Sequence, residues 1–138
     1  MKRILFIVIT LFLVATGSLA QTTPYHAVFD LTTGDTATHS RVLRWISSII
    51  TAHPDARLEV VFYGKSLPMV EKEKSTAGSE IEKLAAGKNV TFAVCEQAMK
   101  VHKVEKSMLL PGVKTVPDAI YEIVSLQAKG YGYIKVTN

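Results

Sequence analysis

The stretch Asn89–Ser107, NVTFAVCEQAMKVHKVEKS, decides how the chain is read, and it holds the only cysteine. Val90, Phe92 and Val94 alternate with Thr91 and Ala93, a short β-branched and aromatic run that predicts a buried strand. From Glu96 the composition changes to Gln97, Ala98, Met99, Lys100, Val101 and Lys103, with no glycine or proline, which predicts a helix. Cys95 therefore falls at the carboxyl end of a strand, where the chain turns into a helix. A thiol there meets the positive end of the helix dipole, which favours thiolate. It also stands at the edge where open α/β sheets bind ligands. The alternative is a small buried hydrophobe, as free cysteines commonly are.

Working outward, the pattern repeats on both sides. Tyr25–Leu31 and Arg57–Tyr63 predict two earlier strands; 113–116 and 131–136 predict two later ones. Between them lie helical stretches. Asp35 or Thr36 can cap the first, whose apolar stripe is Val42, Leu43, Trp45, Ile46, Ile49 and Ile50, with Trp45 expected in the core. The second spans 79–86 with Ile81, Leu84 and Ala85 inward, and stops at Gly87. The third follows Cys95 and is broken by 108–112. The last opens at Pro117 and buries Ala119, Ile120, Ile123, Val124 and Ala128. Residues 65–70 read as a loop or short turn, and Glu71–Lys74 as a solvated charge run.

The order β-α-β-α-β-α-β-α-β argues for an α/β fold with a mostly parallel sheet and helices on both faces. Right-handed crossovers bring all strand ends to one edge. That edge gathers Gly34 and Asp35, Gly64 and Lys65, and Cys95. The glycines let backbone approach a bound group closely, or simply form turns, and Lys65 is either a positive charge at the site or an exposed loop lysine.

The first twenty residues read as a signal peptide. Lys2 and Arg3 precede the apolar run Ile4–Val14, and Ser18-x-Ala20 is a small-x-small cleavage site. The apolar run is short for a membrane span. Residues 21–138 then form one domain, exported to the periplasm or beyond, with no stable span after cleavage. The 16 Lys+Arg exceed the 12 Asp+Glu by four, and by two without Lys2 and Arg3, so charge gives no argument for nucleic acid. No C-x-x-C, P-loop or G-x-G-x-x-G occurs, and no cofactor is implied. One cysteine in an exported chain is a free thiol or pairs with another chain.

Val94-Cys95-Glu96-Gln97-Ala98, Leu110-Pro111-Gly112-Val113 and Val116-Pro117 through Gln127, Gly130, Tyr131, Tyr133, Ile134 and Lys135 resemble the DsrE/DsrF-like family. The resemblance covers Tyr25–Val136. It implies a three-layer α/β/α domain with a five-stranded sheet, and homo-oligomers such as trimers or hexamers. It also implies that Cys95 carries sulfur as a persulfide and exchanges it with a donor or acceptor protein. Non-catalytic ligand binding or protein interaction is the alternative. A third reading takes Cys95, Met99 and His102, spaced i, i+4 and i+7, as a Cu(I) set on one helical face. Glu96 would raise the thiol pKa if it lay close. None of His26, His39, His53 and His102 sits in a catalytic motif, and His39 and His53 are expected at the surface.

Overall fold

A computed structural model describes residues 24–137. The expected signal peptide, residues 1–20, lies outside these. Five strands, β1 (His26–Leu31), β2 (Arg57–Phe62), β3 (Val90–Cys95), β4 (Lys114–Val116) and β5 (Gly132–Val136), form one sheet in the order β4-β3-β2-β1-β5. Every neighbouring pair is parallel. The helices are α1 (Thr36–Ala52), α2 (Gly78–Ala85), α3 (Glu96–His102) and α4 (Ala119–Ala128). Among the described residues no helix is long and apolar enough to cross a membrane.

The topology explains an asymmetry between the two faces. From β1 to β4 the chain steps steadily across the sheet in one direction, so right-handed crossovers place α1, α2 and α3 on one face. It then returns from one edge strand, β4, to the other, β5, and this reversal lays α4, alone among the described helices, across the opposite face. Alternation along the strands sorts the side chains accordingly. Ala27, Phe29 and Leu31, then Leu58, Val60 and Phe62, then Val90, Phe92 and Val94 meet Val42, Leu43 and Ile46 of α1, Ile81 of α2 and Met99 of α3. The opposite set is smaller: Val28, Val61 and Cys95 with Ala119, Ile123 and Leu126 of α4.

Several expectations are corrected. Trp45 is 42 % exposed and carries the Arg41 guanidinium 5.5 Å above its ring, because the apolar stripe of α1 is wider than its contact with the sheet. Ile120 and Val124 are exposed rather than buried, and Leu126 takes the inward place. Helix α4 starts two residues later than Pro117, capped by Asp118, whose carboxylate accepts from Tyr121 N–H at 2.8 Å. Helix α3 ends at His102, where Lys103 turns into the left-handed region at φ 56°, well before the expected break. Residues 64–70 form a 3₁₀ segment. Glu71 is buried and pairs with Lys74 at 2.8 Å, so the charge run is not wholly solvated.

Candidate functional site

The carboxyl edge of the sheet is built by two interlocked turns. Ser66 Oγ donates to the carbonyls of Leu31, at 2.7 Å, and Tyr63, at 2.9 Å, and Lys65 N–H donates to Thr32 O at 2.9 Å. Gly64 supplies the positive φ of 62° that this turn needs. A Cβ on Gly34 would stand only 3.0 Å from Lys65 O, so any larger residue there would push the two turns apart by a few tenths of an ångström. Gly34, Gly64 and Lys65 thus come together as expected from their shared edge. Asp35 is occupied as the cap of α1, accepting from Thr38 N–H at 2.8 Å and Thr38 O–H at 2.6 Å, and these bonds hold its acid below the usual range.

Cys95 ends β3 and caps α3, with extended backbone at φ −68° and ψ 120°. Its side chain falls on the one-helix face, 5 % exposed, in the cluster with Val28, Val61 and Ala119, against which Tyr63 and Ala98 pack. The strand register makes Tyr63 its neighbour: Phe62 pairs with Val94, so the next residues of the two strands stand side by side. The Gly34–Lys65 junction belongs to the turns, and Tyr63 links that edge to the thiol. Glu96 is drawn aside by Thr115 O–H at 2.8 Å and Lys106 at 3.0 Å, which keep its acid low.

Asp30 lies two strands from Cys95 on the same face and is 3 % exposed. Its Oδ2 accepts from Tyr133 O–H at 2.6 Å and from Lys135 at 2.9 Å. Burial alone would raise the Asp30 acid, but the bonds from Tyr133 and Lys135 and the charge of Lys135 hold the group below its ordinary value. The Tyr133 phenol is pushed up to about 12, chiefly by its bond to Asp30. Farther along the same face, burial and then the neighbouring Glu122 push Glu59 up to about 7. These groups were missed in the sequence. The signal was a carboxylate inside an otherwise apolar strand, DL after HAVF and LEVV within RLEVVFY.

The Cu(I) set does not assemble. Cys95 is strand rather than helix, so helical spacing does not apply to it, and it packs on the α4 side while Met99 packs in the three-helix core. His102 is exposed. Among the described residues no three His, Cys, Asp or Glu side chains converge as a metal-holding group. His39, expected outside, is buried, a ring nitrogen 2.7 Å from Thr33 O beneath the first turn. His26 packs on the ring of Tyr131, and His53 on that of Tyr25, at the opposite end of the sheet from Cys95.

The DsrE/DsrF-like family profile matches residues 26–136, nearly all of the described chain. A solved structure from Methanobacterium thermoautotrophicum, the protein of unknown function MTH1491, superposes with a TM-score of 0.75 at 22 % identity. The match covers 80 % of this chain and 98 % of that one, and at this identity the likeness is one of fold. No curated protein matches.

Proposed function

Since the chain belongs to the DsrE/DsrF-like family, a family related to sulfur relay, we propose that it is an exported sulfur carrier working through a persulfide on Cys95. The observation that carries this reading is the place of the single cysteine. It ends an inner strand, on the thinly covered face, next to Tyr63 in the strand register. In the loading step the Cys95 thiolate attacks the outer sulfur of a donor persulfide or polysulfide, and the donor leaves as its own thiolate or shortened polysulfide. In the handover an acceptor thiolate attacks the outer sulfur held on Cys95, the S–S bond breaks, and Cys95 is restored as thiolate. No net oxidation occurs in either step.

The partners proposed are a sulfur donor and an acceptor protein, together with further copies of the chain. Ile120, Tyr121 and Val124 form an exposed apolar surface on α4, with Tyr121 73 % exposed, and such a surface fits a homo-oligomer interface. The loop groups Gly34, Asp35, Gly64 and Lys65 would then flank the entrance for the donor. Sulfane sulfur released by cyanide from protein exposed to polysulfide and passed through gel filtration tests the reading. One sulfur per chain, absent from Cys95→Ser, supports it; no bound sulfur sinks it.

A second reading follows from the same burial. With Cys95 only 5 % exposed and the α4 surface so apolar, the protein would act as an oligomeric interaction module without turnover. An intact oligomer with no retained sulfur would favour it.

A further inference from the structure

On the three-helix face, at the β5 edge of the sheet, α1 leaves a groove. Phe29 of β1 and Ile134 of β5, partners in the strand register, form its floor, and Tyr25, Trp45, Ser48 and Ile49 form its walls. Its volume is about 310 Å³. Phe29 is buried, whereas Tyr25 and Trp45 stand 36 % and 42 % exposed at the rim. A phenol and an indole beside aliphatic side chains, each with an apolar body and a polar tip, suit a membrane–water interface.

The charges around the groove have one sign. Helix α1 holds no acidic residue, and Arg41 lies over Trp45 while donating to Thr137 O at 2.7 Å. Arg44 is exposed on the same helix. Arg57, whose N–H bonds Tyr25 O at 3.0 Å, is also exposed and gives its guanidinium to the backbone carbonyls of Asp55 and Ala56. Every ion pair among the described residues uses a lysine, Lys74, Lys106 or Lys135, so no carboxylate pairs with these three arginines. The acids nearest in sequence are Asp35, occupied as the cap of α1, and Asp55 beyond its other end. Guanidinium groups left in this state match phosphate oxygens.

The direction of the chain supplies the third observation. The described residues begin at Pro24, next to Tyr25 of the groove. Upstream lie Lys2, Arg3 and the apolar run Ile4–Val14, read as a signal, which enters a bilayer before any cleavage. Residues 15–23 join that run to Pro24 and reach at most about 30 Å when fully extended. The groove thus lies beside the point where the domain would be tethered to a membrane.

We propose that the groove and its three arginines are a docking face for a phospholipid bilayer with anionic headgroups. Trp45 and Tyr25 sit at headgroup level, and the arginines meet phosphate. A second copy of the chain is the poorer occupant, because a two-fold contact sets the same patch against itself and brings like charges together. The proposal is independent of the chemistry of Cys95, which lies with α4 on the other face and stays turned from the lipid.

Trp45 is the only tryptophan of the chain, so its emission reports this face alone. The test uses protein purified from cells expressing the full chain, its N-terminus read from intact mass. It is titrated with vesicles of phosphatidylcholine alone and of an equal mixture with phosphatidylglycerol. Trp45 emission should shift to the blue and be quenched by brominated acyl chains with the anionic vesicles only, and high salt should reverse both. Arg44→Gln, at an exposed position, should weaken the partition about fivefold, while the same charge change on α2, Lys83→Gln, should leave it unchanged. Unaltered Trp45 emission overturns the proposal, even where an attached apolar run carries the protein to the vesicles. An equal response to neutral vesicles, or equal weakening by Lys83→Gln, overturns it too. A blue shift that grows with protein concentration in the absence of lipid assigns the face to a second copy instead.

Discussion

The two faces of the sheet are made from the same strands and have opposite characters. One is covered by three helices and packed with Phe29, Phe62, Phe92 and their aliphatic neighbours, with the rings of Phe62 and Phe92 6.1 Å apart. The other is crossed by α4 alone and holds Asp30, Glu59, Tyr63, Cys95, Tyr133 and Lys135 beside a small apolar cluster. The cause is the reversal from β4 to β5, which leaves one helix for a whole face. The buried carboxylate Asp30 is tolerated there because Tyr133 and Lys135 of β5 donate to it. The contrast teaches that most of the apolar core lies on one side of the sheet while the ionisable groups gather on the other.

The largest expected effect is on the three-helix face. Phe92→Ala should cost about 3–5 kcal/mol in denaturant unfolding, through lost burial and a cavity that cannot collapse. Cys95→Ala, on the other face, should cost about 1 kcal/mol. Equal losses at the two sites would abolish the contrast.

Next comes the buried carboxylate. Lys135→Met removes one donor from Asp30 and should cost about 1–2 kcal/mol. Because the folded Asp30 acid lies below its ordinary 3.8, its contribution is present above that pH and is lost as pH falls through the folded value. Acid unfolding curves should therefore steepen below pH about 4, and Asp30→Asn should flatten them. A variant with the unaltered acid limb would show that Asp30 gives the fold nothing.

Glu59 has the opposite sign. Its folded acid lies at about 7 against an ordinary 4.5, so between those values the folded state binds the proton and the unfolded state does not. Stability then falls as pH rises through that window. Glu59→Gln should remove the slope and stabilise the protein above pH 7 by about 1 kcal/mol, allowing for solvent screening of a half-buried group. Thermal melts at pH 5 and pH 8 measure this, and an unchanged slope would count against it. The smallest effect on folding belongs to α4. Ile120→Ser and Val124→Ser should change chain stability by less than about 0.5 kcal/mol, and should lower the mass seen in light scattering where the proposed oligomer forms through α4.

Much of the fold was legible because the hydrophobic period changes cleanly from strand to helix around each turn. NVTFAVC alternates and EQAMK does not, and YGYIKV repeats the strand signal at the end. What was not legible depends on coverage, which a single helical stripe does not encode. Ile120 and Val124 continue the apolar face of α4, yet among the described residues no second helix lies beside it, and that edge stays open. Trp45 lies beyond the contact zone of α1 for a similar reason. Helix α3 stops at a lysine in a left-handed conformation, where glycine would have been the visible signal. At the site, Cys95 and the Gly34–Lys65 edge were readable from topology. The Asp30, Tyr133 and Lys135 cluster was not, since it needs the register between β5 and β1.

The central claim is that Cys95, on the thinly covered face, is a working thiol. Intact mass of the folded protein after polysulfide, beside Cys95→Ser, tests it most directly. The account predicts a reductant-sensitive gain of one sulfur, about 32 Da, in the protein and none in the variant. No gain in the folded state, with alkylation of Cys95 only after denaturation, would make it a structural thiol and contradict the account.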